Sequence, residues 1–236
     1  MVQIVHKFVN LKMLDSILNI SLKYPAILIG SLMPLIPLFF AVYRRKYLNK
    51  SAQALFFFLI FFIATDIPLW ITSVYKINNL LYSYSRDALN LILLGSIYLI
   101  GLKSKTIKLV LILTLSIMGL VFSLQLLSLI PKGEYIWINR LFLGGISLAY
   151  FFRLLQNPII KDILNFPFFW INSGVLFYCL STLMITFFFK FTIISSNNQF
   201  LYLKFIIILE YLSIIMFLFF AYGFWTLKNN FFLKKR

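Results

Sequence analysis

Apolar stretches long enough to cross a bilayer occur seven times along the chain, at 26–43, 52–75, 80–102, 107–130, 135–155, 166–189 and 203–225. About 30 Å of hydrocarbon asks for roughly 20 residues of helix rising 1.5 Å each, and every stretch is close to that length. A spanning β-barrel would instead need alternating segments of about ten residues, and the run ALFFFLIFFI at 54–63 does not alternate. Helices are the remaining way to satisfy backbone polar groups in lipid. The expected fold is therefore all-α, a polytopic transmembrane bundle of seven spanning helices. Composition agrees: 62% of the 236 residues are hydrophobic and 12% charged, against about 45–50% and about 25% in a soluble domain. Mean hydropathy is +0.95. The expected division is an interfacial or extracytoplasmic segment at 1–25, the bundle at 26–226 and a basic tail at 227–236.

Twenty-two Lys and Arg against six acids leave a net charge of +16. In a soluble protein that balance would point to nucleic acid. Here the cations gather between apolar stretches, where they act as insertion signals and as contacts to anionic headgroups, so membrane lipids and not nucleic acid are the expected partners. Thirteen of them fall on the side holding Arg44, Arg45, Lys46, Lys50, Lys103, Lys105, Lys108, Arg153, Lys161 and the tail, and nine on the other. The positive-inside rule then places the N-terminus outside and the C-terminus inside. In the segment 1–25, Lys7, Asn10, Lys12 and Asp15 interrupt the apolar residues, which argues against a signal peptide and for an interfacial or loosely ordered segment.

No HExxH, glycine-rich phosphate loop, GxSxG elbow or Cys/His cluster occurs, and the chain holds one His and one Cys. Metal, triad and haem chemistry lose their usual residues, and no cofactor is expected. What remains are ionisable residues inside apolar stretches: Asp66, Arg86, Asp87, Arg140 and Glu210. Each costs about 2.5–3.5 kcal/mol near the centre of a spanning helix, so such residues face the bundle interior or water. All five fall at similar depth from the outer surface, which predicts one outward polar pocket holding a ligand or an ion. Ion pairs of Asp87 with Arg140, or of Glu210 with Arg86, are the plainer alternative. Three acids against two arginines leave one acid over. Asp66 is the expected odd one, because Pro68 kinks its helix and frees a backbone carbonyl nearby. Pro34 and Pro37 predict a bent first helix, and Gly145 with Ala149 offers small residues four apart for close helix contact.

The stretch NPIIKDILNFPFFWINSGVLFY at 157–178 resembles a region of small seven-helix membrane proteins of the Bacteroidota, in which a short connection leads into a Phe-Trp-Ile helix start. LNKS at 48–51, leading into FFLIFFIATD at 57–66, is similar to the same group, with Thr-Asp where that group has Thr-Glu. Some members form or accompany the membrane part of sensor kinases. The resemblance therefore implies a receptor-like or accessory signalling role in a bacterial cytoplasmic membrane, with a separate cytoplasmic signalling partner carrying the output. Two other readings fit the same charges. One is a small-solute or ion transporter with Asp66, Asp87 and Glu210 as coupling sites. The other is an intramembrane lipid hydrolase using two acids and a water.

Overall fold

The computed structural model describes residues 25–75, 77, 79–101, 105–126, 136–156, 162–196 and 199–227. The expected interfacial segment, apart from Pro25, and the basic tail from residue 228 lie outside them. The described residues are helical and carry no strand. We number the helices α1 (Pro25–Leu32), α2 (Leu35–Tyr43), α3 (Lys50–Val74), α4 (Leu80–Gly101), α5 (Lys105–Leu126), α6 (Ile136–Leu155), α7 (Pro167–Ser196) and α8 (Gln199–Trp225). A 3-10 turn at Arg45–Tyr47 joins α2 to α3.

Helices α1 and α2 are the expected first span, broken where proline demands it. Pro34 cannot donate to the turn before it, so α1 stops at Leu32 and the Ile36 amide reaches back only to the Met33 carbonyl, at 3.1 Å. Asn49 starts α3 by accepting from the Ala52 amide at 2.9 Å, an N-cap in the usual geometry. Pro167 opens α7, where its missing N–H costs nothing. The turn before it is closed by the Asp162 carboxylate, which accepts from the Leu164 amide at 3.2 Å.

Five stretches are long and apolar enough to cross a membrane: Pro25–Tyr43, Lys50–Thr72, Trp137–Leu155, Pro167–Phe187 and Lys204–Trp225. Helices α4 and α5 coincide with the third and fourth expected spans but do not reach that measure among the described residues. In α4 the first two turns hold Tyr82, Ser83, Tyr84, Ser85, Arg86 and Asp87, which lower its hydropathy. In α5 Lys105 and Lys108 occupy the first turn.

Side-chain contacts set the directions. Asp66 meets Arg86 and Gly101 lies at Ser51, so α3 and α4 run antiparallel. Asp87 meets Arg140, and Tyr98 meets Tyr150, so α4 and α6 run parallel. Ser147 meets Asn172 and Phe151 meets Phe169, which makes α6 and α7 antiparallel, and Gly223 against Ile171 with Gly174 against Phe219 does the same for α7 and α8. Gly30 lies at Glu210 and Phe40 at Trp225, so the α1–α2 pair runs along α8. Trp70 to Ser31 then ties α3 to α1 and closes a ring. Helix α5 leans on α4 from outside it.

The ring is filled at mid-depth and towards the Arg44 end. Leu55, Phe58, Leu59, Phe217, Phe220 and Phe224 are buried in one continuous apolar core with Leu91, Leu94 and Ile97. Phe39, Phe57, Leu120, Phe152 and Leu155 are instead exposed on the outside. An apolar exterior around a packed apolar interior is the arrangement lipid selects, since a water-soluble bundle would turn polar residues outward.

The close helix contact is not where the small-residue spacing placed it. A Cβ on Gly145 would meet nothing within 4 Å and Ala149 is exposed, so that face of α6 points away from the bundle. The tight approach is between α7 and α8. A Cβ on Gly174 would stand 2.8 Å from Phe219 Cβ and 3.1 Å from the Met216 carbonyl oxygen, and one on Gly223 would stand 3.0 Å from the Pro167 carbonyl oxygen. Two glycines on facing helices let the backbones touch.

Candidate functional site

Three of the five expected residues surround one cavity at the Tyr75 end of the ring. Asp66 is carried by α3, Arg86 by α4 and Glu210 by α8, and with Ile27, Gly30, Ser31, Phe62, Leu69 and Trp70 they enclose about 220 Å³. Arg86 Nη1 donates to Asp66 Oδ1, and the guanidinium lies over the Phe62 ring at 4.9 Å. The pair is mostly buried, with side chains 21% and 13% exposed. One carboxylate and one aromatic face thus hold the only guanidinium in the wall. The expectation that Asp66 is the odd acid is therefore corrected. Asp66 and Arg86 stand at matching depth on adjacent antiparallel helices, so they neutralise each other.

Glu210 is the acid left over. Among the described residues no lysine or arginine nitrogen comes within ion-pair distance of it, and the expected pair with Arg86 is not formed. Its side-chain partner is the Ser213 hydroxyl at 3.5 Å, the outer limit of a hydrogen bond. The carboxyl tip occupies the space a Cβ would take on Gly30, so only glycine on α1 lets it lie against that backbone. Opposite, Trp70 Nε1 donates to Ser31 Oγ at 3.0 Å, and Ser31 Oγ donates to the Ile27 carbonyl at 3.1 Å. The indole is thereby fixed at the cavity wall.

Pro68 lies inside α3. Lacking an N–H, it leaves the Ala64 carbonyl without its helical donor, and the Tyr82 hydroxyl of α4 donates to the neighbouring Thr65 carbonyl at 3.1 Å. The Thr72 hydroxyl returns to the Pro68 carbonyl at 2.8 Å. Exposed backbone at the proline is thus tied to α4 on one side and to its own helix on the other.

Asp87 and Arg140 stand apart from this cavity. They pair at 3.9 Å between α4 and α6, and Arg140 also lies 4.9 Å over the ring of Tyr178 on α7. That pairing is the one expected from the sequence, but it separates two of the five residues from the pocket instead of adding them to it. Across this end of the bundle the polar residues form two groups, and the adjacent Arg86 and Asp87 belong one to each. No family model, curated protein or solved structure matches this chain. The site therefore has to be read from its own chemistry.

Two polar positions escaped the sequence reading because asparagine carries no charge to flag it. Asn172, 1% exposed, accepts at Oδ1 from the Tyr98 and Ser147 hydroxyls, each at 2.7 Å, and donates from Nδ2 to the Ser147 carbonyl at 3.0 Å. This knot joins α4, α6 and α7 with its groups satisfied, which marks it as structural. Asn90 lies one turn along α4 from Arg86, on the same face, and is buried with Oδ1 unpaired. Its spacing of four from Arg86 was the available signal.

Proposed function

We propose that this chain is a seven-span protein of a bacterial cytoplasmic membrane, N-terminus outside and C-terminus inside, that works as a receptor-like component. In this reading the cavity among α1, α3, α4 and α8 opens to the outside and binds a small solute, and occupancy is passed through the bundle to a cytoplasmic partner. The observation that carries it is a cavity of about 220 Å³ holding an acid that, among the described residues, no lysine or arginine nitrogen approaches within ion-pair distance. Such a group in a largely apolar wall is costly unless something completes it.

The filled core favours binding over passage. Phe58, Phe217, Phe220 and Phe224 occupy the interior beyond the cavity, at 0–1% exposure, whereas a carrier needs a route to both sides of its site. The Arg44 end supports a cytoplasmic contact. Arg44 is held 5.0 Å from the rings of both Tyr43 and Trp225, and Arg45, Lys46 and Lys50 beside it are exposed. Exposed cations at a rim are suited to headgroup phosphates or to an acidic partner surface.

The test is a solute panel on the purified protein in detergent, followed by uptake into proteoliposomes. A solute that binds the cavity at a hundred times its Kd should stabilise the fold by about 2.7 kcal/mol. That stabilisation should vanish in Glu210→Gln, and the same solute should not accumulate inside the vesicles. Gradient-driven accumulation would make the protein a carrier.

A further inference from the structure

The charge and shape of the cavity wall restrict what can complete it. Asp66 and Arg86 are joined to each other and sum to zero, so the wall carries a net charge of minus one when Glu210 is ionised. The carboxyl tip of Glu210 reaches the α1 backbone at Gly30, with one marginal hydroxyl contact from its own helix. A complement therefore has to bring positive charge and hydrogen-bond donors to that tip.

Four observations narrow the cation. Among the described residues no group of three or more His, Cys, Asp and Glu side chains gathers as a metal would require, and hard cations such as Ca²⁺ want about six to eight oxygens. The aromatic share of the wall is small: the Phe62 face already holds Arg86, which leaves Trp70, and one ring is not the cage that quaternary ammonium groups select. The rest of the lining beside Glu210 is aliphatic or small, Ile27, Leu69 and Gly30. A volume of about 220 Å³ admits a few heavy atoms.

We infer that the cavity binds a small primary ammonium compound, whose N–H groups donate to the Glu210 carboxylate while a short apolar part lies against Ile27, Leu69 and Trp70. This rests on the ligand-pocket reading above and adds the chemical class. Trp70, held in place by Ser31, supplies a ring face to the cation and the apolar wall to its carbon chain. Gly30 is the positioning residue, because it leaves room for the carboxyl tip that any side chain would take.

The experiment compares thermal unfolding of the full chain in detergent, at constant ionic strength, in ethylammonium chloride, tetramethylammonium chloride, potassium chloride, potassium acetate and N-methylacetamide. Ethylammonium is expected to raise the melting temperature in a saturable way, with tetramethylammonium, acetate and N-methylacetamide at the level of the potassium chloride control. Glu210→Gln should weaken that response about tenfold or more. Gly30→Ala gives a second reading of the same contact: its Cβ meets the Glu210 side chain, most closely at the movable carboxyl, so the protein should fold and still lose the response. Tetramethylammonium or potassium acting as well as ethylammonium would overturn the primary-amine class. Acetate or N-methylacetamide acting in a Glu210-dependent way, with ethylammonium silent, would overturn the cation and leave the pocket standing. No response to any of them would overturn both.

Discussion

Arg86 and Asp87 are consecutive residues, yet about 100° of helical turn separates their side chains and sends them to different neighbours. Arg86 reaches Asp66 on α3 and Asp87 reaches Arg140 on α6. The sequence spacing gives depth along each helix, and that much was legible: all five charges do lie towards one end. It does not give the angle around the axis or which helices stand side by side, so the choice of unpaired acid fell on Asp66 instead of Glu210. The pairings predict an order of stabilities. Asp66→Asn strands a buried guanidinium and should cost about 3 kcal/mol. Asp87→Asn, from a longer pair, should cost less, and with Arg140→Gln should show a coupling of about 0.5–1 kcal/mol. Glu210→Gln removes an uncompensated charge and should leave stability unchanged or raise it. Chemical unfolding in detergent checks the order, and an Asp66→Asn protein as stable as the parent would break the Arg86 pairing.

Among the elements, the helices themselves were readable because membrane spans announce their length and their prolines. The break between α1 and α2 falls at Pro34, and α3 continues through Pro68 with help from Tyr82. The contact between elements was not readable in the same way. Gly145 and Ala149 have the right spacing on one helix, but α6 turns that face outward, while Gly174 and Gly223 lie on two different helices and form no motif in the chain. Only the antiparallel register of α7 on α8 brings them together. Gly174→Leu should therefore prevent close packing and cost more than about 3 kcal/mol, above the ordinary range for overpacking, because backbone lies in the way. Gly145→Leu should change the melting temperature little. Equal damage from the two would remove the α7–α8 approach as the tight contact.

At the scale of the whole molecule, a ring of helices is packed with aromatic residues in one half and holds a charged cavity in the other. Apolar length made the helical bundle legible, and the proposed orientation rests on the imbalance of Lys and Arg. The ring order was not legible, because lipid-facing and core-facing residues are both apolar and leave little periodic contrast along a helix. The cavity followed from that order, since it forms where α1, α3, α4 and α8 meet. The reading depends above all on the cavity being open to the outside. A small, cationic, membrane-impermeant thiol reagent applied to intact spheroplasts tests this directly, using single cysteines in a Cys179→Ala background. Cysteines replacing Ile77, which is 58% exposed, and Glu210 should react from outside, whereas one replacing the exposed Arg45 should react only after permeabilisation. Reaction at position 45 in intact cells, with positions 77 and 210 silent until the membrane is opened, would contradict the account.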